Sequence, residues 1–417
     1  MMKRFLFSLV VLSLLLSILL PVAAGLASAD GGITIISNTA QADFSNSVTF
    51  SLEAEAPTDI VNISIECQVV RRSLVPEKCR SIVDFKQSNN VTVMYVLATG
   101  GIPPGTEIIY TWILQDASGD VIESAPATIR YDDARYDWRS ITSGQVTLFC
   151  YEGNDSFAQQ LMTAAQDALV RLSDEFNASL QQPVKFYIYA NAADLQSSLL
   201  NPDVWTGGMA FPDYSAIMIG IEVDNLDWGK RTVAHELGHL VVGQLVYGPF
   251  GWLPTWLSEG IAMNAEGELS DNFQDSLDSA ISSDTLFSVR SIASAFPSDA
   301  TEAIICYSES HSIVKFLIDN YGSEQFLKLL DLFKQGSTDD EALFQIYGYD
   351  TDGLNENWRS SLGLGPQPTV TPTPTPSPSV GGNEFVLSAP YIALITIVVV
   401  LCILTIFLGF TFVRRWR

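Results

Sequence analysis

Two of only three histidines in the 417-residue chain stand four apart, His235 and His239 in Thr232-Val-Ala-His-Glu-Leu-Gly-His239, with Glu236 directly after the first. On an α-helix, positions i and i+4 share a face, so both imidazoles can reach one metal ion while Glu236 sits beside it at the rim. The segment therefore has to be helical. Pro254-Thr-Trp-Leu-Ser-Glu259-Gly-Ile-Ala262 then opens a second helical stretch, with Glu259 20 residues beyond His239. Packed on the first helix, it can supply a carboxylate oxygen from Glu259. Two histidines and one glutamate are a zinc-binding set for one ion, with the fourth position open to water. Two ordinary core histidines are the plainer reading, and the second segment argues against it.

Away from that pair of helices the hydrophobic period changes near residue 138. Val48–Leu52, Ile60–Ile65, Val91–Val96 and Glu107–Leu114 are short alternating runs, separated by turn residues such as Pro103-Pro-Gly105. Period 2 at this spacing predicts an immunoglobulin-like β-sandwich over 30–137. That region has no histidine and no cluster of charges, which points to a spacer or docking module, with substrate binding as the alternative. From 138 to 363 the pattern is mixed. Val146–Phe149 and Val184–Tyr189 read as strands, Ile217, Ile219 and Ile221 alternate in a third, and Phe157, Leu161, Ala165, Leu169, Leu172 and Phe176 recur at helical spacing. After residue 229 only helical patterns follow, including 311–320, 323–334 and 351–361. A mixed sheet succeeded by helices predicts an α+β domain.

The two ends carry topological signals. Residues 5–24 and 390–413 hold no charged side chain. Lys3 and Arg4 precede the first run and Ala27-Ser28-Ala29 follows it, which predicts an export signal over 1–29, with an uncleaved anchor as the alternative. The second run is long enough to cross a bilayer, and Arg414, Arg415 and Arg417 follow at once. A transmembrane helix over 390–413, a cytoplasmic tail over 414–417 and a single-pass protein of the cell membrane with its ectodomain outside are expected. The Pro/Thr/Ser-rich stretch over 364–389 reads as an extended stalk.

Five of the 22 basic residues flank the apolar runs, leaving 17 against all 47 acidic residues between 30 and 384, a net of −30. Such a surface repels phosphate backbones, so nucleic acid is excluded as a partner and the membrane is met only through the C-terminal helix. In an exported chain Cys67 and Cys79 are close enough to bridge a hairpin as a disulfide, while Cys150 and Cys306 are either paired or buried thiols. Asn62, Asn90, Asn154 and Asn177 begin glycosylation triplets.

His235-Glu236-x-x-His239 followed by Trp256-Leu-Ser-Glu259-Gly260 resembles the gluzincin branch of zinc metallopeptidases, most closely the peptidase MA-like domain family, distantly related to the aminopeptidase N family. The likeness spans about residues 145–361. It implies that His235, His239 and Glu259 bind one Zn²⁺ and that Glu236 is the general base for a zinc-activated water attacking a peptide bond. Related gluzincins use a downstream tyrosine as oxyanion donor, which implies Tyr307, with His311 one helical turn on as the second candidate. Glu266, seven after Glu259 and on the same face, is positioned to orient a ligand imidazole, a solvated surface glutamate being the alternative.

The spacing from His239 to Glu259 is one residue longer than in the aminopeptidase N pattern, which argues against membership of that family proper. Gly207-Gly-Met-Ala-Phe211 is similar to the Gly-x-Met-Glu-Asn segment whose glutamate grips a substrate's free amino terminus, and Ala210 stands in the glutamate's place. The likeness then implies an endopeptidase, with the 215–222 strand, through Ile217 and Ile219, pairing with an extended substrate. The expected function is a membrane-anchored extracytoplasmic zinc metallopeptidase acting on a peptide or protein. The rival is an exported adhesion or scaffold protein with a non-catalytic peptidase-like fold, which would have no physical use for Glu236. Hydrolysis of a non-peptide amide would share the same site.

Overall fold

The computed structural model describes residues 32–73, 77–201 and 207–367. The expected export signal over 1–29, the stalk beyond 367, the membrane helix over 390–413 and the tail over 414–417 lie outside the described residues. Among those described, no helix is long and apolar enough to cross a membrane.

Seven strands come first: β1 (Thr34–Asp43), β2 (Ser47–Val69), β3 (Lys78–Ile82), β4 (Ser88–Ala98), β5 (Thr106–Asp116), β6 (Val121–Glu123) and β7 (Ala127–Tyr131). All pair antiparallel within one sheet. Two runs expected as separate strands are the two arms of β2. The first arm pairs with β1 and β4, the second with β3 and β5, and the register shifts between Glu55 and Ile60. Pro57 falls in that gap and has no N–H to give a ladder, so the partners change across it. An immunoglobulin-like domain has two separately bonded sheets; here the arms stay joined through β2.

The second sheet is built from β8 (Arg139–Ser143), β9 (Val146–Cys150), β10 (Val184–Tyr189), β11 (Gly208–Phe211) and β12 (Ala216–Gly220), in the order β11-β12-β10-β9-β8. The three central strands are parallel and both edges antiparallel. Between β9 and β10 runs α1 (Asp155–Phe176), started by the Asn154 side chain accepting from the Phe157 N–H and ended by Asn177 in the left-handed region. The short α2 (Ala192–Gln196) follows β10. After β12 come α3 (Leu226–Leu245), α4 (Thr255–Glu266), α5 (Asp271–Ser283), α6 (Ala300–Lys334), α7 (Asp339–Tyr347) and α8 (Thr351–Ser361). Within α6 the backbone breaks at Gly322, φ 80°, between the two expected helices. The expected α+β class is present.

Sheet alternation explains why the two halves do not separate near residue 138. Leu148, Phe186, Ile188, Ile217 and Ile219 face the helical core, whereas Tyr187, Tyr189, Met218 and Phe149 face the core of the β-half. A sheet with apolar side chains on both faces must be covered on both. Each large side chain buried this way contributes about 1.5–3 kcal/mol. The buried Asp133 adds a polar clasp, accepting from Tyr189 Oη at 3.0 Å and from Arg135 at 2.6–2.7 Å. Residues through Gln367 form one compact unit, so the β-half is a wall of the second sheet rather than a detached spacer.

Two further expectations change. Ile217 and Ile219 cannot pair with a substrate, because β12 is hydrogen-bonded on both sides, to β10 and to β11, and both side chains are fully buried. The sheet's edge on that side is β11. Cys67 and Cys79 are directly opposed across β2 and β3, as the hairpin argument required, but both are free thiols, as are the buried Cys150 and Cys306.

Candidate metal centre

The site is assembled on three packed helices. α3 is apolar on several sides, burying Val233, Leu237, Leu240 and Val241, because it runs through the middle of the helical layer. Gly238 lets α4 come close: a Cβ there would lie 2.7 Å from Ala262 Cα. That contact sets Glu259 of α4 opposite the paired histidines of α3.

The three donor atoms form a nearly equilateral triangle. His235 Nε2 and His239 Nε2 are 3.2 Å apart, and Glu259 Oε2 lies 3.4 Å from the first and 3.3 Å from the second. Tetrahedral zinc with bonds of about 2.0–2.1 Å separates its ligands by about 3.3–3.4 Å. The outward ring nitrogens are engaged, His235 Nδ1 with Glu266 Oε1 at 2.9 Å and His239 Nδ1 with Ser258 Oγ at 3.1 Å. With Nδ1–H donating outward, both Nε2 lone pairs point inward, toward a buried Glu259 oxygen that has no hydrogen-bond donor. Three acceptors converging on one point are stable only around a cation. The residues present fit zinc.

Without the ion, charge within the cluster has to be carried by protons. Burial would lower the His235 pKa, but the neighbouring carboxylates of Glu259 and Glu266 outweigh it and push the pKa up to about 10. For Glu259 burial acts upward, and the two imidazoles overcome it to hold the carboxyl well below its ordinary range.

Glu236 stands beside the triangle. Burial is the largest influence on its carboxyl and raises its pKa, opposed by the imidazoles and by the Ala210 N–H that donates to it. A carboxylate made more basic by desolvation is suited to take a proton from water. The Tyr307 ring stands edge-on 6.2 Å from the His235 ring and is held by Phe296 at 5.1 Å and Phe273 at 6.5 Å. Burial first, then the negative field of Glu259 and Glu236, keeps its hydroxyl protonated far above neutral pH. It is a donor held beside the His235 ring. His311 is not: its imidazole is buried and bonds to the Gly267 backbone at the end of α4, and burial lowers its pKa.

Residues 164–363 match the Peptidase MA superfamily. No curated protein sequence matches the chain. Among solved structures, the chain is similar to Legionella pneumophila aminopeptidase A in complex with aspartic acid, at 12% identity and TM-score 0.34, covering 82% of this chain and 50% of that one. An aminopeptidase N family protein from Idiomarina loihiensis matches at 10% identity and TM-score 0.36, covering 74% of this chain and 72% of that one. The chain thus spans half the length of the Legionella enzyme.

Within the matched residues the structure brings together His235, His239, Glu259, Glu236, Glu266 and Tyr307. Sequence reasoning passed over three contributors. Ser258 orients His239, and its only signal was its place next to Glu259. Arg231 lies 3.5 Å from Glu266 Oε2, four residues before His235 and so on the same helix face. The third is the backbone of β11, which no side-chain motif reveals.

Proposed function

We propose that the chain is a membrane-anchored, outward-facing zinc endopeptidase. The observation that carries the chemistry is the triangle of three converging acceptors with Glu236 at its side. Bound there, zinc supplies a Lewis acid that activates water and polarises the scissile carbonyl. Glu236 takes the proton from the attacking water and passes it to the leaving amine. Tyr307 donates a hydrogen bond to the carbonyl oxygen as negative charge develops on it.

Substrate backbone is held by β11. The Gly220 N–H donates to Gly207 O at 3.0 Å, so in this antiparallel pair Gly207, Met209 and Phe211 bond to β12 while Gly208 and Ala210 turn their peptide groups away from it, the Ala210 N–H toward Glu236. Among the described residues no strand covers that edge, and a substrate can add to it as a further strand. Ala210 has no carboxylate with which to fix a free amino terminus, which favours cleavage within a chain. Membrane anchoring rests on the apolar run at 390–413 and the arginines after it.

In full-length protein, Glu236→Gln is expected to abolish hydrolysis of an unstructured protein such as casein while about one zinc per chain remains bound. A zinc-loaded wild type that cleaves neither casein nor a peptide library would refute the enzyme and leave a scaffold.

A further inference from the structure

Glu266 stands where a carboxylate is out of place. It is the last residue of α4, at the end of the helix where unpaired carbonyls gather negative charge, and the last turn of α4 carries no basic residue of its own. Two arginines from other helices supply the missing positive charge. Arg171 of α1 donates through Nε and Nη2 to Ala265 O at 2.9 and 2.6 Å, fixing the main chain one residue before Glu266. Arg231 of α3 reaches the side chain itself: its Nη1 lies 3.5 Å from Glu266 Oε2 and donates to Glu268 O at 3.3 Å.

The carboxylate is thereby divided between two partners. Oε1 meets His235 Nδ1 at 2.9 Å, and Oε2 faces Arg231. Among the described residues no other lysine or arginine pairs with Glu266, and with 10% of its side chain exposed water offers little replacement. Arg231 and His235 are one helical turn apart on α3, so the residue that holds Glu266 and the residue that Glu266 holds rise from the same face.

We infer that Arg231 is a positioning residue of the metal centre, acting on His235 through Glu266. The inference rests on the zinc reading above. Lacking Arg231, the carboxylate is repelled by the negative end of its own helix and free to swing away from His235. The bond to Nδ1 loosens, and the ring is no longer fixed with Nε2 toward the ion. The arginine's own charge would repel a metal cation. That charge is neutralised by Glu266, and the head is 43% exposed to solvent screening, so orientation outweighs repulsion.

The test is the zinc affinity of the full chain, read by competition with a chelator, for wild type, Arg231→Met, Arg231→Lys, Glu266→Gln and the combination of Arg231→Met with Glu266→Gln. Arg231→Met should weaken zinc binding about three- to tenfold, less than loss of the carboxylate itself. Arg231→Lys should restore most of that, because both contacts come from the single atom Nη1 and an ammonium can replace it. In the Glu266→Gln background Arg231→Met should change the affinity by less than about twofold, since the carboxylate it acts through is gone. A merely structural role would instead lower the thermal midpoint of the zinc-free chain and weaken zinc binding equally in both backgrounds. Should Arg231→Met fold poorly, Arg231→Gln takes its place as an uncharged variant with a polar head. Affinity unchanged in the uncharged variant, or weakened equally with and without the Glu266 carboxylate, overturns the positioning role and leaves the zinc site standing. Wild type that binds no zinc overturns both.

Discussion

Gly208→Ala is the most direct test of how the β11 backbone meets the general base. A Cβ built on Gly208 falls 2.7 Å from Glu236 Oε1 and 3.0 Å from its Cγ and Cδ. Ordinary van der Waals contact begins near 3.4 Å, so the carboxylate has to move by at least about 0.5–1 Å. Glu236 is only 9% exposed, and the shift also disturbs its bond from the Ala210 N–H. Displacements of about 1 Å at a reacting group cost on the order of 10²-fold, or about 2.7 kcal/mol of barrier. The fold itself has reason to gain, because alanine is less costly than glycine inside a strand by roughly 0.5–1 kcal/mol. The expected outcome is a kcat near one hundredth of wild type on casein, with zinc content unchanged and the thermal midpoint not lowered. Gly32→Ala, with nothing within 4 Å of the added methyl, is the control. A variant that retains full kcat would show that Glu236 is not held against β11, and one that loses zinc would show that the strand shapes the metal site.

Other consequences are independent of substrate. Removing the Glu266 carboxylate charge in Glu266→Gln should weaken zinc binding about 10–100-fold in a chelator competition, since the bond to His235 Nδ1 fixes the ring for the metal; unchanged affinity would relegate Glu266 to surface structure. Glu309 on α6 is fully buried, with one oxygen accepting from the Phe287 N–H at 2.9 Å and the other without a donor. Burial pushes its pKa up to about 8, against smaller opposing effects of Phe287 and Arg359. The folded chain therefore holds this proton where the unfolded chain, with a carboxyl near 4.5, has lost it. Stability from this group is complete below about pH 4.5 and declines as pH rises to about 8, by at most a few kcal/mol. Glu309→Gln should raise the thermal midpoint over wild type at pH 8 and show almost no difference near pH 5. An equal effect at both pH values would mean that Glu309 is ionised throughout.

Much of the metal centre was legible because it is local. His235, Glu236 and His239 fall within five residues of one helix, where the backbone alone decides which side chains share a face. Glu266 was legible for the same reason, as a second carboxylate two turns after Glu259 on α4. Tyr307 came from resemblance, and the structure seats it against His235. His311 failed as a second donor because one helical turn from Tyr307 is already the far side of α4, under Gly267. Ser258 was invisible because serines are common and nothing in a sequence says which imidazole one will meet.

The substrate strand and the role of the β-half show the opposite case. Alternation in Ile217 and Ile219 marked a strand, and the strand exists, but period 2 does not tell an edge from an interior position. Pairing partners decide that, and they lie far along the chain, at β10 and at the short β11. Apolar residues on both faces of β10 likewise signalled burial without saying what would cover each face. The sequence alone determined the helical metal pair, the third ligand, the change of period near residue 138 and the apolar ends, because each depends on neighbours a few residues away. Only the tertiary structure decided that β11 is the open edge and that the β-half shares a core with the second sheet, because those outcomes depend on which distant surfaces bury one another.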